Sequence, residues 1–196
     1  MSPPEDLLHV AGVLAGVFDA LAVPYAFGGA LAQNYWGTVR ATQDIDLLAS
    51  VPKIRFDDLR EALVAAEFVA RAADGTPVAL SVDGMAAEER DRHLITVYRG
   101  LVKVEVFFPF LPIQHSILRR AVSLAMGGRT VPITSAEDLI VLKMAFHREK
   151  DLRDVRSMLW SQKGNLDLAY LRTWASTMLA SAQRDELERF IREYGA

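Results

Sequence analysis

Between Pro24 and Ala49 the chain leaves room for few folds. Tyr25, Ala26 and Phe27 form an apolar triplet directly after a proline, and Gly28 and Gly29 end it. Ala30 to Trp36 reads as a helix restarting after the glycines, with Gly37 closing it. Ile45 to Ala49 is apolar again and reads as a second strand. A buried strand, a glycine turn, a short helix and another strand, in that order, predict a mixed α/β core. Asp44 and Asp46 flank Ile45 at the start of the second strand. Side chains alternate across a strand, so both carboxylates share one face while Ile45 and Leu47 point into the core.

Two like charges on one face repel, and a cation or a shared proton must compensate them. A hard divalent ion with oxygen ligands is the natural candidate. Mg²⁺ typically takes one or two carboxylates plus substrate phosphates. Gly28 and Gly29 let the backbone approach a ligand closely, and free N–H groups at the start of the next helix bind phosphate. Glu105 is a lone acid in the apolar run from Val102 to Phe108. Such a residue is costly to bury unpaired. It is either a third metal ligand or base, or a solvent-facing acid beside Lys103 on an amphipathic sheet.

The rest of the chain fits one continuous fold. Apolar positions over residues 5–22 have helical spacing, and Pro24 stops that helix. Pro52 opens a helix running to about Ala66. Strands are expected over residues 68–72 and 78–82 around Asp74 and Gly75. Further strands, 94–98 and 102–108, flank a hairpin at Arg99 and Gly100. Another turn falls at Gly127 and Gly128. Glu88 to Arg92 reads as a solvated loop or short helix, and Phe107 to Phe110 as a strand end. From residue 134 onward the pattern is helical, opened by a capping box at Thr134 and Glu137 or at Ser135 and Asp138. The expected architecture is α/β (α+β). A small mixed sheet with flanking helices spans residues 1–133, and a helical bundle over residues 134–196 packs on it.

With no cysteine, disulfides, thiolate zinc sites and cysteine nucleophiles are excluded. A net charge of −3 gives no global basic field for nucleic acid, although a local groove can still be basic. The N-terminus lacks the basic start of a secretory signal, and no apolar run is long enough to span a bilayer. A cytoplasmic location without membrane association is therefore expected.

Residues 25–32 together with 40–48 resemble the signature of the DNA-polymerase-β-like nucleotidyltransferase superfamily. They are most similar to its bacterial branch of AbiEii-like small nucleotidyltransferases, many of them toxin–antitoxin components. The resemblance continues over residues 133–143 and 148–154. It implies nucleotidyl transfer, with Asp44, Asp46 and Glu105 holding a pair of Mg²⁺ ions (or Mn²⁺) that activate an acceptor hydroxyl and neutralise pyrophosphate. It further implies that Gly28 and Gly29 cradle the NTP triphosphate. Lys143 and Arg148 would contact phosphate or substrate, and Asp151 would lie near the site. Arg40 and Thr42 would buttress the turn or touch phosphate. Gly29 stands where the superfamily often has a serine.

Other charged residues carry plainer readings. Lys143 shares a helix face with Leu139 and Phe146, where a lysine can simply snorkel over the core. The mixed-sign run from Arg148 to Arg156 has the spacing of a solvated helix, with Asp154 structural. His147 reads as a helix-junction residue. Three functions stay open. One is NMP transfer to RNA such as tRNA, or to protein, as a toxin with an antitoxin partner. The second is a small-molecule (antibiotic) adenylyltransferase. The third is a non-catalytic, antitoxin-like binding protein on the same fold.

Overall fold

The computed structural model describes residues 6–126 and 128–195. Helix α1 (Leu7–Ala20) is capped by Asp6, whose carboxylate accepts the Leu8 amide at 3.1 Å, and it buries Val10, Leu14 and Phe18. Strand β1 (Tyr25–Phe27) is wholly buried. Helix α2 (Gly29–Trp36) begins at the second glycine, and β2 (Asp44–Ala49) begins at the first acid of the pair. Each starts slightly earlier than the apolar pattern suggests. Pro52 precedes a 3₁₀ turn (Lys53–Arg55) rather than the α-helix itself, and α3 (Phe56–Ala65) follows.

The middle of the chain departs most from the sequence reading. Strands β3 (Ala70–Arg71) and β4 (Pro77–Val78) shrink to two residues each and pair only with one another as a sheet. The expected strand over 78–82 stops early because Ser81 caps a helix, its hydroxyl accepting the Gly84 amide at 3.1 Å. That helix, α4 (Val82–Arg92), contains the whole charged segment from Glu88 to Arg92. Strands β5 (Leu94–Arg99) and β6 (Val102–Phe107) form the expected hairpin. Helix α5 (Pro112–Arg120) then occupies a stretch the sequence left unassigned. Its Gln114 side chain accepts the Phe110 and Leu111 amides, each at 2.9 Å, and so anchors the helix start.

Strands β7 (Val122–Met126) and β8 (Arg129–Ile133) are antiparallel. Of the turn expected between them, Gly127 lies outside the described residues. Four helices follow: α6 (Ala136–Phe146), α7 (Glu149–Ser161), α8 (Leu168–Met178) and α9 (Ser181–Phe190). Ser135 is the cap of α6, accepting the Asp138 amide at 3.2 Å, so the second of the two capping registers is the one used. The acids of that first turn tie in neighbouring helices. Asp138 is fully buried and accepts from Ser135 and from Tyr170 of α8, and Glu137 accepts the Asp167 amide at 2.9 Å. Burial pushes the Asp138 carboxyl up, and burial with the Asp138 bond pushes the Tyr170 hydroxyl up to about 12. Among the described residues no helix is long and apolar enough to cross a membrane.

The main sheet is mixed, in the order β5-β6-β2-β1-β8-β7. Strand β2 is parallel to β6 and antiparallel to β1, and β1 is parallel to β8. Ile45 pairs with Val104 and Leu47 with Val106, and all four are 0% exposed. Burying each such side chain is worth about 1.5–3 kcal/mol, which fixes the register. The same register sends Asp44, Lys103, Asp46 and Glu105 to the opposite, partly open face.

Candidate active site

Strand β1 delivers the glycine pair directly against β2. The Gly28 amide donates to the Asp46 carbonyl at 2.9 Å. Gly29 has a φ of +50°, and the Asp46 carboxylate packs against its Cα. A Cβ at residue 29 would overlap Oδ2 of Asp46 and stand 2.5 Å from its Cγ and 2.9 Å from its Cβ. A serine here would displace the acid, so in this chain only backbone amides are available at the start of α2. Gly29→Ala is expected to cost about 2–4 kcal/mol, combining a left-handed φ with overpacking. Chemical denaturation measures it. The overlap is the cause if the penalty shrinks in an Asp46→Gly background, which removes the opposing Cβ.

On the sheet face, Asp46 lies directly beside Glu105 across the parallel pair, and Asp44 beside Lys103. Burial pushes the Asp46 carboxyl up, the charges of Glu105 and Asp44 add to this, and Lys103 and Lys143 pull the other way. Glu105 is not buried unpaired. Its Oε1 is 3.0 Å from Lys103 Nζ and 3.9 Å from Arg92 of α4. Glu105 thus pairs with Lys103, as one of its two sequence readings expects, and it also stands next to Asp46.

The loop from Gly37 to Gln43 carries Arg40 and Thr42. Asn34 of α2 clasps it, accepting the Arg40 amide at 3.0 Å and donating to the Arg40 carbonyl at 2.9 Å. Ser157 of α7 holds the other end, accepting the Thr38 amide at 2.7 Å. Thr42 turns back on its own strand, its hydroxyl 3.2 Å from the Asp44 carbonyl. Thr42 thus buttresses Asp44, while Arg40 points to α7, its guanidinium 3.5 Å from Asp154.

Lys143 does not snorkel. Its side chain is buried, with Nζ 2.6 Å from Asp154 and 3.6 Å from Asp151. Arg148 grips Asp151 with two hydrogen bonds. Burial would raise the Asp151 carboxyl, but the Arg148 bond and the charges of Lys143 and Arg148 hold it below the usual range. The fields of Lys143 and Asp46 meet, and Asp46 also stabilises the Arg148 cation. The two cations of the helical part, although paired with Asp151 and Asp154, thus lie near enough to Asp46 for their charges to interact with it.

Residues 12–193 match the family described as "Nucleotidyl transferase AbiEii toxin, Type IV TA system". The chain belongs to the AbiEii nucleotidyltransferase family. No curated protein sequence matches it. Among solved structures, an antigenic nucleotidyltransferase-like protein from Paracoccidioides brasiliensis is 21% identical with a TM-score of 0.52, and the match covers 95% of this chain and 92% of that one. The antibiotic-resistance factor ANT(2'')-Ia in solution is 12% identical with a TM-score of 0.54, covering 95% and 97% of the two chains. The same factor in complex with adenylyl-2"-tobramycin is 13% identical with a TM-score of 0.54, covering 87% and 95%. These structures share a fold with the AbiEii-family chain.

Nucleotidyl transfer is thus the activity of the family, and the residues of this AbiEii-family chain can be weighed for the metal it implies. Asp44, Asp46 and Glu105 offer only carboxylate oxygens, the donor set Mg²⁺ prefers. Burial, Glu105 and Asp44 all disfavour a bare Asp46 carboxylate, a cost that a bound cation would relieve. Yet among the described residues no three His, Cys, Asp or Glu side chains already converge on one point. Asp44 and Asp46 share one sheet face, and Glu105 would have to leave Lys103 to join them. Arg92, Asn34 and Ser157 escaped the sequence reading as neighbours of the site because they act through tertiary pairing, whereas the period-2 placement of Lys103 beside Glu105 was legible.

Proposed function

We propose that this AbiEii-family enzyme transfers a nucleoside monophosphate from an NTP to a hydroxyl acceptor on RNA, such as tRNA, or on a protein. It acts as a toxin countered by an antitoxin partner. The observation that carries this reading is the adjacency of Asp46 and Glu105 over the Gly28–Gly29 turn. The acceptor oxygen bonds to the α-phosphorus, the bond to the bridging β-phosphate oxygen breaks, and pyrophosphate leaves. The hydroxyl proton passes to a site carboxylate, with Glu105 the one that faces the adjoining cleft. Mg²⁺, or Mn²⁺, held by Asp44, Asp46 and Glu105, supplies Lewis acidity when bound. The Gly28–Gly29 turn opens α2, and the amides that follow Gly28 orient the triphosphate there. Lys143 and Arg148 favour the developing charge of the leaving group; Asp151 and Asp154 keep those cations in place, and Arg40 also pairs with Asp154.

Incubation of the protein with each α-³²P-labelled NTP and Mg²⁺ or Mn²⁺ tests the reading, with total RNA, total protein and aminoglycosides as separate acceptor pools. Label is expected in the RNA or protein pool and absent with EDTA. Label appearing only on aminoglycoside, or transfer indifferent to EDTA, refutes it, as does the absence of both transfer and NTP binding.

A further inference from the structure

Beyond Glu105 the open face of the sheet leads into a cleft of about 530 Å³. Thr96, Tyr98, Lys103 and Glu105 line its floor. Helix α4 forms one wall with Met85, Glu88 and Arg92, and the β3–β4 hairpin forms the other with Arg71 and Val78. That volume suits a ligand of nucleotide size. Glu105, one of the proposed reacting carboxylates, lines it, and Asp46 is the strand neighbour of Glu105, so the cleft is where an acceptor would lie.

Its charges point to the kind of acceptor. The lining carries three cations, Arg71, Arg92 and Lys103, against two acids, Glu88 and Glu105. The acids are engaged: Glu88 accepts the Thr96 amide at 2.8 Å and lies 3.5 Å from Arg92, and Glu105 pairs with Lys103. Arg71 has no carboxylate partner among the described residues. One of its Nη groups donates to the Gly100 carbonyl at 2.8 Å, and its guanidinium lies 4.6 Å above the Tyr98 ring. Its Nε is buried without a protein acceptor among the described residues. A buried guanidinium donor without a partner is costly and seeks an oxyanion. Stacked on an aromatic face, it is also held rigid for bidentate recognition of phosphate. With Arg92 and Lys103 paired to the two acids, Arg71 leaves the lining net positive, which favours an anionic acceptor over a polycationic one.

We propose that the cleft is the acceptor subsite and takes a phosphate-bearing nucleotide unit. Arg71 grips the phosphate, and the acceptor hydroxyl sits at Glu105. The inference rests on the reading of Asp44, Asp46 and Glu105 as the reacting end of the site. The nucleotide can come from a free mononucleotide or from the end of a nucleic-acid chain.

Binding in EDTA, without NTP, tests this separately from catalysis. The probes are AMP, by calorimetry, and a 5′-fluorescein-labelled single-stranded RNA oligonucleotide, by anisotropy. Arg71→Ala is expected to weaken binding about tenfold, the loss of one charge-assisted contact. Arg71→Glu should weaken it further, Arg71→Lys should restore most of it, and affinity for Mg²⁺–NTP should stay unchanged in all three. Arg71-dependent binding of AMP identifies a free nucleotide as the source, and dependence for the oligonucleotide alone identifies a chain end. Photocrosslinking of a 4-thiouridine oligonucleotide to the wild-type protein needs no substitution, and should mark peptides from residues 70–105. The proposal is overturned if the Arg71 variants bind both probes like wild type, or if crosslinks fall elsewhere. If binding follows Arg71 but no labelled NTP is ever transferred, the reaction assigned above fails instead.

Discussion

Asp46→Asn is expected to lower nucleotidyl transfer by about a thousandfold while raising the thermal midpoint. Loss of several kcal/mol of Lewis-acid positioning at a central carboxylate corresponds to about three powers of ten in rate. The stability change has the opposite sign because Asp46 is held against its own electrostatics. It is largely buried, with Glu105 beside it and Asp44 two residues away, and all three effects disfavour its charge. Asparagine keeps the shape that packs on Gly29 and removes the charge. Single-turnover transfer with labelled NTP and a thermal melt of the same preparation check both halves. Activity within tenfold of wild type would remove Asp46 from the chemistry. A lower melting point would show that the negative charge is already compensated.

Lys143→Met is the second large effect, and here stability and function fall together. The ammonium group bridges Asp154 and Asp151, and all three side chains are at most 9% exposed. Removing one partner of a buried ion pair costs about 3–5 kcal/mol because the other charge stays behind. The lower end is expected, since Asp151 keeps Arg148 and Asp154 keeps Arg40. Adding Asp154→Asn should recover part of the loss in urea denaturation, but it should not restore NTP affinity if Lys143 also meets the triphosphate. Recovery of both would make Lys143 purely structural. A single variant as stable as wild type would contradict the buried pair itself.

The parts legible in the sequence were those governed by local periodicity. Val102 to Phe107 alternates buried and half-buried along its whole length, and Tyr25 to Phe27 is buried throughout, as their patterns require. The missed helices have weak patterns. Helix α4 buries only Met85, and α5 buries Gln114 and Ser116 alongside Ile113 and Ile117, which blurs its apolar stripe. The site divides the same way. Asp44 and Asp46 share a face because they lie two apart on one strand. The run from Arg148 to Arg156 has the composition of a solvated helix. Asp151 and Asp154 are nevertheless buried, because Lys143 reaches them from α6. No spacing rule within α7 encodes that partner. Gly29 shows the reverse: its identity was plain, but the reason for it, the Asp46 carboxylate lying across its Cα, exists only in three dimensions.

Strand β2 has a neighbour on each side, β6 and β1, and so offers no free edge. Its amide protons should therefore exchange with solvent only when the whole sheet opens, although Asp44 at its start is exposed. The β3–β4 hairpin is the opposite, four paired residues joined to the rest through the Val69–Tyr98 bridge. The strand that carries Asp44 and Asp46 is thus expected to be among the slowest-opening parts of the molecule, and the hairpin wall of the cleft among the most replaceable. A lineage can rewrite that hairpin, and with it what enters the cleft, without disturbing the strands that hold Asp44, Asp46 and Glu105.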